Sequence, residues 1–102
     1  MPMGERSFEE FPMPILMTGE AQGLTAETYL HMFNLLALAM KAAPGFVLDT
    51  AHPLEGGGFR VVEVWRSKED SDRFFATQVA PNLVPGVRPK RHTQALSSLL
   101  AG

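Results

Sequence analysis

Glu63 and Trp65 stand two residues apart in the segment GFRVVEVWRSKEDSDRFF, in which an apolar strand runs into a helix. Alternation along a strand places the two side chains on one face, with valines at the neighbouring positions. Burial raises the pKa of a carboxyl group, so Glu63 could act as a general base. The alternative is a structural carboxylate paired with a nearby arginine or with a second subunit, because buried charges are usually paired.

Two histidines could share the proton transfer with this carboxylate. His52 and His92 lie on strand-like segments whose faces could converge with Glu63, and histidine titrates near neutral pH. Each could equally be a structural side chain at the rim of the fold. The three histidines of the chain are not clustered with carboxylates at ligand spacing and there is no cysteine, so we predict no metal site.

Trp65 is expected to contact the substrate because of where its strand ends. Ser67 stands three residues before Asp70, which is the pattern of an N-cap, so the helix begins about two residues after Trp65. A large aromatic side chain at such a junction can form the wall of a pocket between sheet and helix. In the preceding helix, Leu30 and Phe33 belong to an apolar stripe with Ala37 and Met40, widened by Tyr29 and Leu36, and we assign Leu30 and Phe33 to the same pocket.

The elements that position these residues follow the order strand, helix, strand, strand, helix, strand. Strands are predicted at residues 14–22, 46–54 and 58–66 and from residue 90 onward, and helices from residue 25 to before Pro44 and over residues 68–79. Gly56, Gly57 and Gly58 predict a hairpin between strands two and three. Strict alternation in strand two places Phe46, Leu48, Thr50 and His52 on one side and Val47, Asp49 and Ala51 on the other.

This order predicts an α+β, ferredoxin-like split βαβ fold (βαββαβ), with an antiparallel four-stranded sheet and both helices on one face. Strand three is apolar on both sides, and one layer of helices covers only one of them. We therefore expect the other face of the sheet to pack on a second copy in a homodimer. The basic group around Arg88, Lys90, Arg91 and His92 is expected to be a solvated edge strand.

Composition limits the possible partners. With 102 residues, 45% of them hydrophobic and 20% charged, the chain is expected to form one domain over residues 14–102, preceded by an arm over residues 1–13. The formal net charge of −2 argues against a nucleic-acid partner. No apolar run approaches the roughly 18 residues that a membrane helix needs, so we predict no membrane partner and a cytoplasmic location.

The order of elements, together with RVVEVWRSKEDSDRFF and the following VAPNL, resembles the dimeric α/β-barrel superfamily and, within it, the antibiotic-biosynthesis-monooxygenase-like proteins. Members include cofactor-free quinone-forming monooxygenases, haem-degrading enzymes, polyketide cyclases and lactone isomerases. The resemblance implies that Trp65 corresponds to a pocket-lining Trp. Where haem degraders have an Asn on strand one and a His on helix two, this chain has Thr18 and Glu20 on strand one and Phe74 and Phe75 on helix two. We expect Thr18 and Phe74 to contact substrate instead.

Three classes of function follow from the residues and the resemblance. In the first, a cofactor-free oxygenase, Trp65 stacks on a phenol of aromatic or polyketide type, and Glu63 or a histidine removes its proton. In the second, a non-redox cyclase or isomerase, the same base removes a carbon-bound proton. The third is a dimer that binds a small hydrophobic or aromatic molecule without catalysis. We expect no cofactor in any of them.

Overall fold

The computed structural model of the chain describes residues 13–101. Its elements are β1 (Ile15–Ala21), α1 (Ala26–Ala42), β2 (Phe46–Pro53), β3 (Phe59–Trp65), α2 (Lys68–Phe74) and β4 (Lys90–Ala95). A π-helical segment, Phe75–Val79, and a 3-10 turn, Ala80–Asn82, continue α2. The predicted arm, residues 1–13, lies outside the described residues except for Met13.

The four strands form one antiparallel sheet in the order β2-β3-β1-β4. Both helices pack on the same side of it, which confirms the predicted α+β, ferredoxin-like fold. We call the side under the helices the helix face; it carries alternate residues of every strand, including Met17, Gly19, Glu63, Trp65 and Arg91. The opposite side, the open face, carries among others Leu16, Thr18, Val62, Val64 and His92.

Side-chain caps fix where both helices begin. The Thr25 hydroxyl accepts a hydrogen bond from the Thr28 amide, and the Ser67 hydroxyl accepts one from the Asp70 amide at 3.1 Å. Each cap satisfies an amide of the first turn that has no partner within the helix. The short connection from Trp65 to the Ser67 cap holds α2 directly against the end of β3, as the sequence predicts.

Strand β2 departs from the predicted alternation. Phe46 pairs with Trp65 and Leu48 pairs with Val64, so Val47 is an extra residue in a β-bulge. Phe46 therefore packs in the core under the helices, whereas Leu48 lies on the open face. The prediction that Phe46 shares a face with Leu48, Thr50 and His52 is wrong for this reason.

The hydrophobic core lies between the helix face and the two helices. Its centre is the buried group of Ile15, Met17, Trp65 and Phe74. In α1 the buried residues are Met32 and Leu36; Leu36 belongs to the predicted stripe and Met32 does not, and Leu30 is 56% exposed. Neither helix in the described part of the chain is long and apolar enough to cross a membrane.

Candidate active site

A cavity of about 120 Å³ lies between the helix face and the helices. It is about ten times the space that one water molecule needs, so a small ring system can enter it. Both helices, the π-helical segment and the loop before β4 contribute to its walls, which are mainly apolar: Met17, Met32, Leu36, Val61, Phe74, Phe75, Val79, Leu83 and Val87. Gly19 in β1 has no side chain and so leaves space at the floor of the cavity.

Two carboxyl groups meet at one end of this cavity. Asp49 on β2 is the direct neighbour of Glu63 on β3, both side chains line the cavity, and their carboxyl groups share a hydrogen bond. Burial and the neighbouring Asp49 raise the pKa of Glu63 to about 8, and burial also raises the pKa of Asp49. At pH 7 the pair therefore holds one proton and one negative charge, so it contains an acid and a base in contact.

Trp65 orients Glu63 from the core side. Its indole Nε1 donates a hydrogen bond of 2.8 Å to Glu63 Oε1, which lowers the pKa of Glu63 against the larger effect of burial. The Trp65 side chain is fully buried, packed edge-on against Phe46 and at a tilt against Phe74, with both ring centroids 5.5 Å away. It is not among the residues that line the cavity, so its contact with a ligand would run through Glu63 and Phe74.

Tyr29 stands over the same end of the cavity. Its ring stacks on Phe59, with centroids 4.7 Å apart and planes 9° apart, and lies 6.1 Å from the ring of Phe33. Burial, followed by the charges of Asp49 and Glu63, raises the pKa of the Tyr29 phenol. The hydroxyl group of Tyr29 therefore stays protonated at neutral pH and is available as a hydrogen-bond donor.

The structure brings together some of the residues proposed from the sequence and separates the others. Glu63, Phe33 and Phe74 line the cavity, and Trp65 contacts two of them, Glu63 and Phe74. Leu30 points outward on α1 and does not line it. Thr18, His52 and His92 lie on the open face, opposite Glu63, because each is out of phase with the helix-face residues of its strand: Thr18 pairs with His92 and Val62, and His52 pairs with Arg60.

Asp49, Tyr29 and Arg91 are cavity residues for which no catalytic or binding role was predicted. Asp49 could have been found from the hairpin, because a five-residue connection between Pro53 and Phe59 places it opposite Glu63. A connection one residue longer or shorter would have placed it on the other face. Arg91 was expected on a solvated edge, but its position on the helix face turns it towards α2.

Solved structures share this arrangement of strands and helices. SnoaB, a cofactor-independent oxygenase from Streptomyces nogalater, matches with a TM-score of 0.62 and 13% identity over 88% of this chain and 99% of its own. Rv3592, a heme-degrading protein from Mycobacterium tuberculosis, matches with a TM-score of 0.61 and 20% identity over 89% of this chain and 99% of its own. The fold is that of SnoaB and Rv3592.

A mutant form of SnoaB gives the same result, with a TM-score of 0.60 and 14% identity over 87% of this chain and 98% of the mutant chain. The resemblance predicted from the sequence is thus confirmed at the level of the fold. No protein-family model and no curated protein matches the chain. Because identity to SnoaB and Rv3592 is at most 20%, these structures show the fold of this chain and not its chemistry.

Proposed function

We propose that the chain is a cofactor-independent oxygenase that removes a proton from a planar hydrophobic substrate of phenol or anthrone type and lets the resulting anion react with dioxygen. The observation that carries the proposal is the carboxyl pair Asp49–Glu63 at the end of an apolar cavity. An ionised carboxylate that is removed from water is a stronger base than a solvated one. The apolar walls select a ligand that is itself poorly hydrated.

The proposed reaction consumes one O₂ for each substrate molecule. The pair takes a proton from the substrate carbon or its phenol, leaving an electron-rich carbanion that transfers one electron to O₂ and combines with it as a peroxide. Loss of water from the peroxide leaves a carbonyl group, so that R₂CH₂ and O₂ give R₂C=O and H₂O. Glu63 and Asp49 return the proton to the departing hydroxide, which restores the pair to its one-proton state.

The shared fold supports this choice, since SnoaB is a cofactor-independent oxygenase. The other neighbour, Rv3592, is a heme-degrading protein, and, within residues 13–101, the cavity of this chain has no histidine that could bind a haem iron. Histidine is a common axial ligand of haem iron, and none of the three histidines of the chain, His31, His52 and His92, lines the cavity. The proposed reaction therefore contains no step at a haem.

A second candidate is a non-redox isomerase or cyclase. The specific observation in its favour is that the pair contains a protonated and an ionised carboxyl group at neutral pH, which can give a proton at one atom of a substrate and take one from another. The two candidates use the same base and differ in whether oxygen is consumed.

An oxygen electrode distinguishes them. With anthrone as the probe at pH 7.5, we expect oxygen uptake in step with formation of the quinone, and a loss of at least about 100-fold in rate for Asp49→Asn and for Glu63→Gln. Glu55→Gln, an exposed carboxylate in the hairpin turn, is the matched control and should keep the full rate. Anthrone turnover without oxygen uptake would favour the isomerase. Full activity in both carboxyl variants would remove the pair from the mechanism.

We propose, in addition, that two copies of the chain associate through the open face. Leu48 on this face is 42% exposed, and Leu16 and Val62 on the same face are only half-buried, whereas Val64 between Leu48 and Leu16 is buried. Neither helix packs on the open face, so a second sheet is the natural cover for these apolar side chains.

A further inference from the structure

Arg91 on β4 is held at the opposite end of the cavity from the carboxyl pair. Its guanidinium lies over the ring of Phe75, 4.5 Å from the centroid, and the side chain is 20% exposed. Nη2 donates a hydrogen bond of 3.0 Å to the Ser71 hydroxyl, and Nη1 lies 3.3 Å from Asp72 Oδ1. Stacking on the ring and two contacts from α2 fix the plane of the guanidinium group.

The remaining nitrogen of Arg91 has no partner. Among residues 13–101, Arg91 Nε is a buried side-chain nitrogen without a hydrogen-bond acceptor. Leaving a buried charged donor unsatisfied is costly, so such a group commonly marks the place of a ligand or ordered water. Nε and Nη2 form one edge of the guanidinium, and two parallel N–H groups on that edge match the two oxygens of a carboxylate.

The charges around Arg91 leave room for another anion. Asp72 contacts both Arg91 and Lys68, and its shorter contact, 2.6 Å, is with Lys68. The hydrogen bond from Lys68 is the main reason that the pKa of Asp72 lies below its usual value. Two cations therefore share one carboxylate, and this cluster of Arg91, Lys68 and Asp72 has a net charge of +1. The charge of Arg91 also acts on Glu63 across the cavity, where it lowers the pKa of Glu63 against the larger effect of burial. A ligand carboxylate would complete both the charge and the hydrogen bonds of Arg91.

The position of Arg91 relative to the carboxyl pair defines what the ligand looks like. Arg91 pairs with Gly19, and Glu63 lies two strands away on β3, which corresponds to about 10 Å across the sheet. Gly19, Arg91 and Glu63 all line the same cavity, and no side chain at Gly19 separates them. One planar molecule of about two rings can therefore reach both ends.

We infer that Arg91 and Ser71 form a subsite for a carboxylate, and that the substrate is a planar hydrophobic acid with its carboxylate at this end and its reactive proton at Asp49 and Glu63. The inference rests on the proposed function for the role of the carboxyl pair. The subsite itself does not depend on the proposed function, because it follows from the contacts of Arg91 and Ser71. This subsite predicts that the substrate is an aromatic or polyketide-type carboxylic acid, and not the neutral amide or the decarboxylated form of that acid.

The test compares two probes that differ only in this group, 6-hydroxy-2-naphthoate and 6-hydroxy-2-naphthamide, by titration calorimetry with the full chain at pH 7. We expect the acid to bind at least about tenfold more tightly than the amide. Arg91→Lys keeps the positive charge but removes the two parallel N–H groups of the guanidinium. The preference for the acid over the amide should therefore fall below about threefold, while the affinity for the amide is unchanged. Arg88→Lys, the same substitution at an exposed position of the preceding loop, should keep the full preference.

Ser71→Ala provides a second variant if Arg91→Lys does not fold, and it too should reduce the preference for the acid. Equal affinity of the wild type for both probes overturns the subsite. A preference that survives both Arg91→Lys and Ser71→Ala overturns the assignment to these residues. Neither result affects the proposed oxygenase, which is tested by oxygen uptake of the wild type and its loss in Asp49→Asn and Glu63→Gln. Failure of both probes to bind would overturn the subsite and the cavity as a binding site together.

Discussion

Glu63 and Asp49 would both be ionised in an unfolded chain at neutral pH, and the fold brings them together as a pair that keeps one proton. The folded protein therefore binds a proton that the unfolded chain releases. The pKa of Glu63, about 8 in the folded protein, lies above the ordinary value of 4.5. Stability is thus greatest below the unfolded pKa and is lost as the pH rises towards the folded pKa.

We predict that Glu63→Gln removes most of this pH dependence. The wild type should lose roughly 3 kcal/mol of unfolding free energy between about pH 5 and pH 8.5, because its protonated Glu63 must ionise in a buried place. The variant keeps a neutral side chain at every pH, so its free energy of unfolding should change little. Denaturant titrations at several pH values measure the difference. If the free energy of unfolding changed with pH by the same amount in both proteins, Glu63 would not retain its proton on folding.

Trp65 also affects the ionisation of Glu63, through its hydrogen bond to the carboxyl group, and the variant Trp65→Phe tests this effect. Without the indole N–H the Glu63 carboxylate loses a hydrogen bond that stabilises its charged form, so we expect the pKa of Glu63 to rise further. The smaller ring should also lower stability by about 1–3 kcal/mol, because it leaves a void between Phe46 and Phe74.

A ¹³C NMR titration of the glutamate carboxyl groups measures the first effect, and thermal unfolding measures the second. Phe46→Leu is a control that leaves a void beside the same ring but keeps the indole N–H. It should lower stability without raising the pKa of Glu63. An unchanged pKa in Trp65→Phe would reduce Trp65 to a packing role.

At the scale of elements, the β2–β3 hairpin sets the register that places Asp49 opposite Glu63. Its turn contains Gly57 and Gly58, both with positive φ, at 103° and 93°. A Cβ atom at Gly58 would lie 2.5 Å from the Ala21 carbonyl oxygen and 2.8 Å from Gln22 Cα, whereas one at Gly57 would meet nothing within 4 Å. The end of the hairpin is therefore packed directly against the end of β1.

We predict that Gly58→Ala destabilises the fold by about 2 kcal/mol more than Gly57→Ala. Both variants strain a positive φ, at a cost of about 1–3 kcal/mol each, and only the first also collides with backbone that cannot move freely. Denaturant unfolding of the two variants side by side gives the difference. Equal losses of unfolding free energy in the two variants would mean that the hairpin can move away from the end of β1 with little loss of stability.

The elements themselves could be predicted from the sequence because each carries local signals. Thr25 and Ser67 cap the helices, the Pro44–Gly45 pair ends the first, and the three glycines reverse the chain between β2 and β3. The faces were harder to predict, since a single bulge at Val47 puts Phe46 and Leu48 on opposite sides. Glu63 could be singled out from its own strand, whereas Asp49 is found only by pairing β2 with β3 through the length of the hairpin connection.

The predicted stripe of α1 agrees with the structure except at Leu30, which is exposed, and at Met32, which is buried but not predicted, because the helix is apolar almost all round. Leucines, methionines and alanines occupy most of residues 35–42, so several stripes fit the sequence equally well. Only packing on the sheet selects Met32 and Leu36 and leaves Leu30 in solvent. The histidines were misplaced because a strand side chain has two possible faces, and the face depends on the register with β1 and β3.

For the whole molecule, we predict a homodimer that Leu48→Asp dissociates. Leu48 lies on the open face, where a charge would be buried between two sheets without a partner. The matched control is Leu38→Asp on α1, since Leu38 is 80% exposed and lies outside both the cavity lining and the open face. Light scattering should give a dimer mass for the wild type and the control and a monomer mass for Leu48→Asp. A monomer mass for the wild type would contradict the proposed homodimer.

Two walls of the cavity each contain one residue more than a regular element would use: Val47 in the bulge of β2, and the wider turn of the π-helical segment Phe75–Val79. The first lets Phe46 and Asp49, three residues apart, face the same way, and the second brings Phe75 and Val79 to the cavity. The shape of such a site is set by chain length as much as by side chains. Single-residue deletions at these two places are therefore expected to change the shape of the cavity more than substitutions of its lining residues.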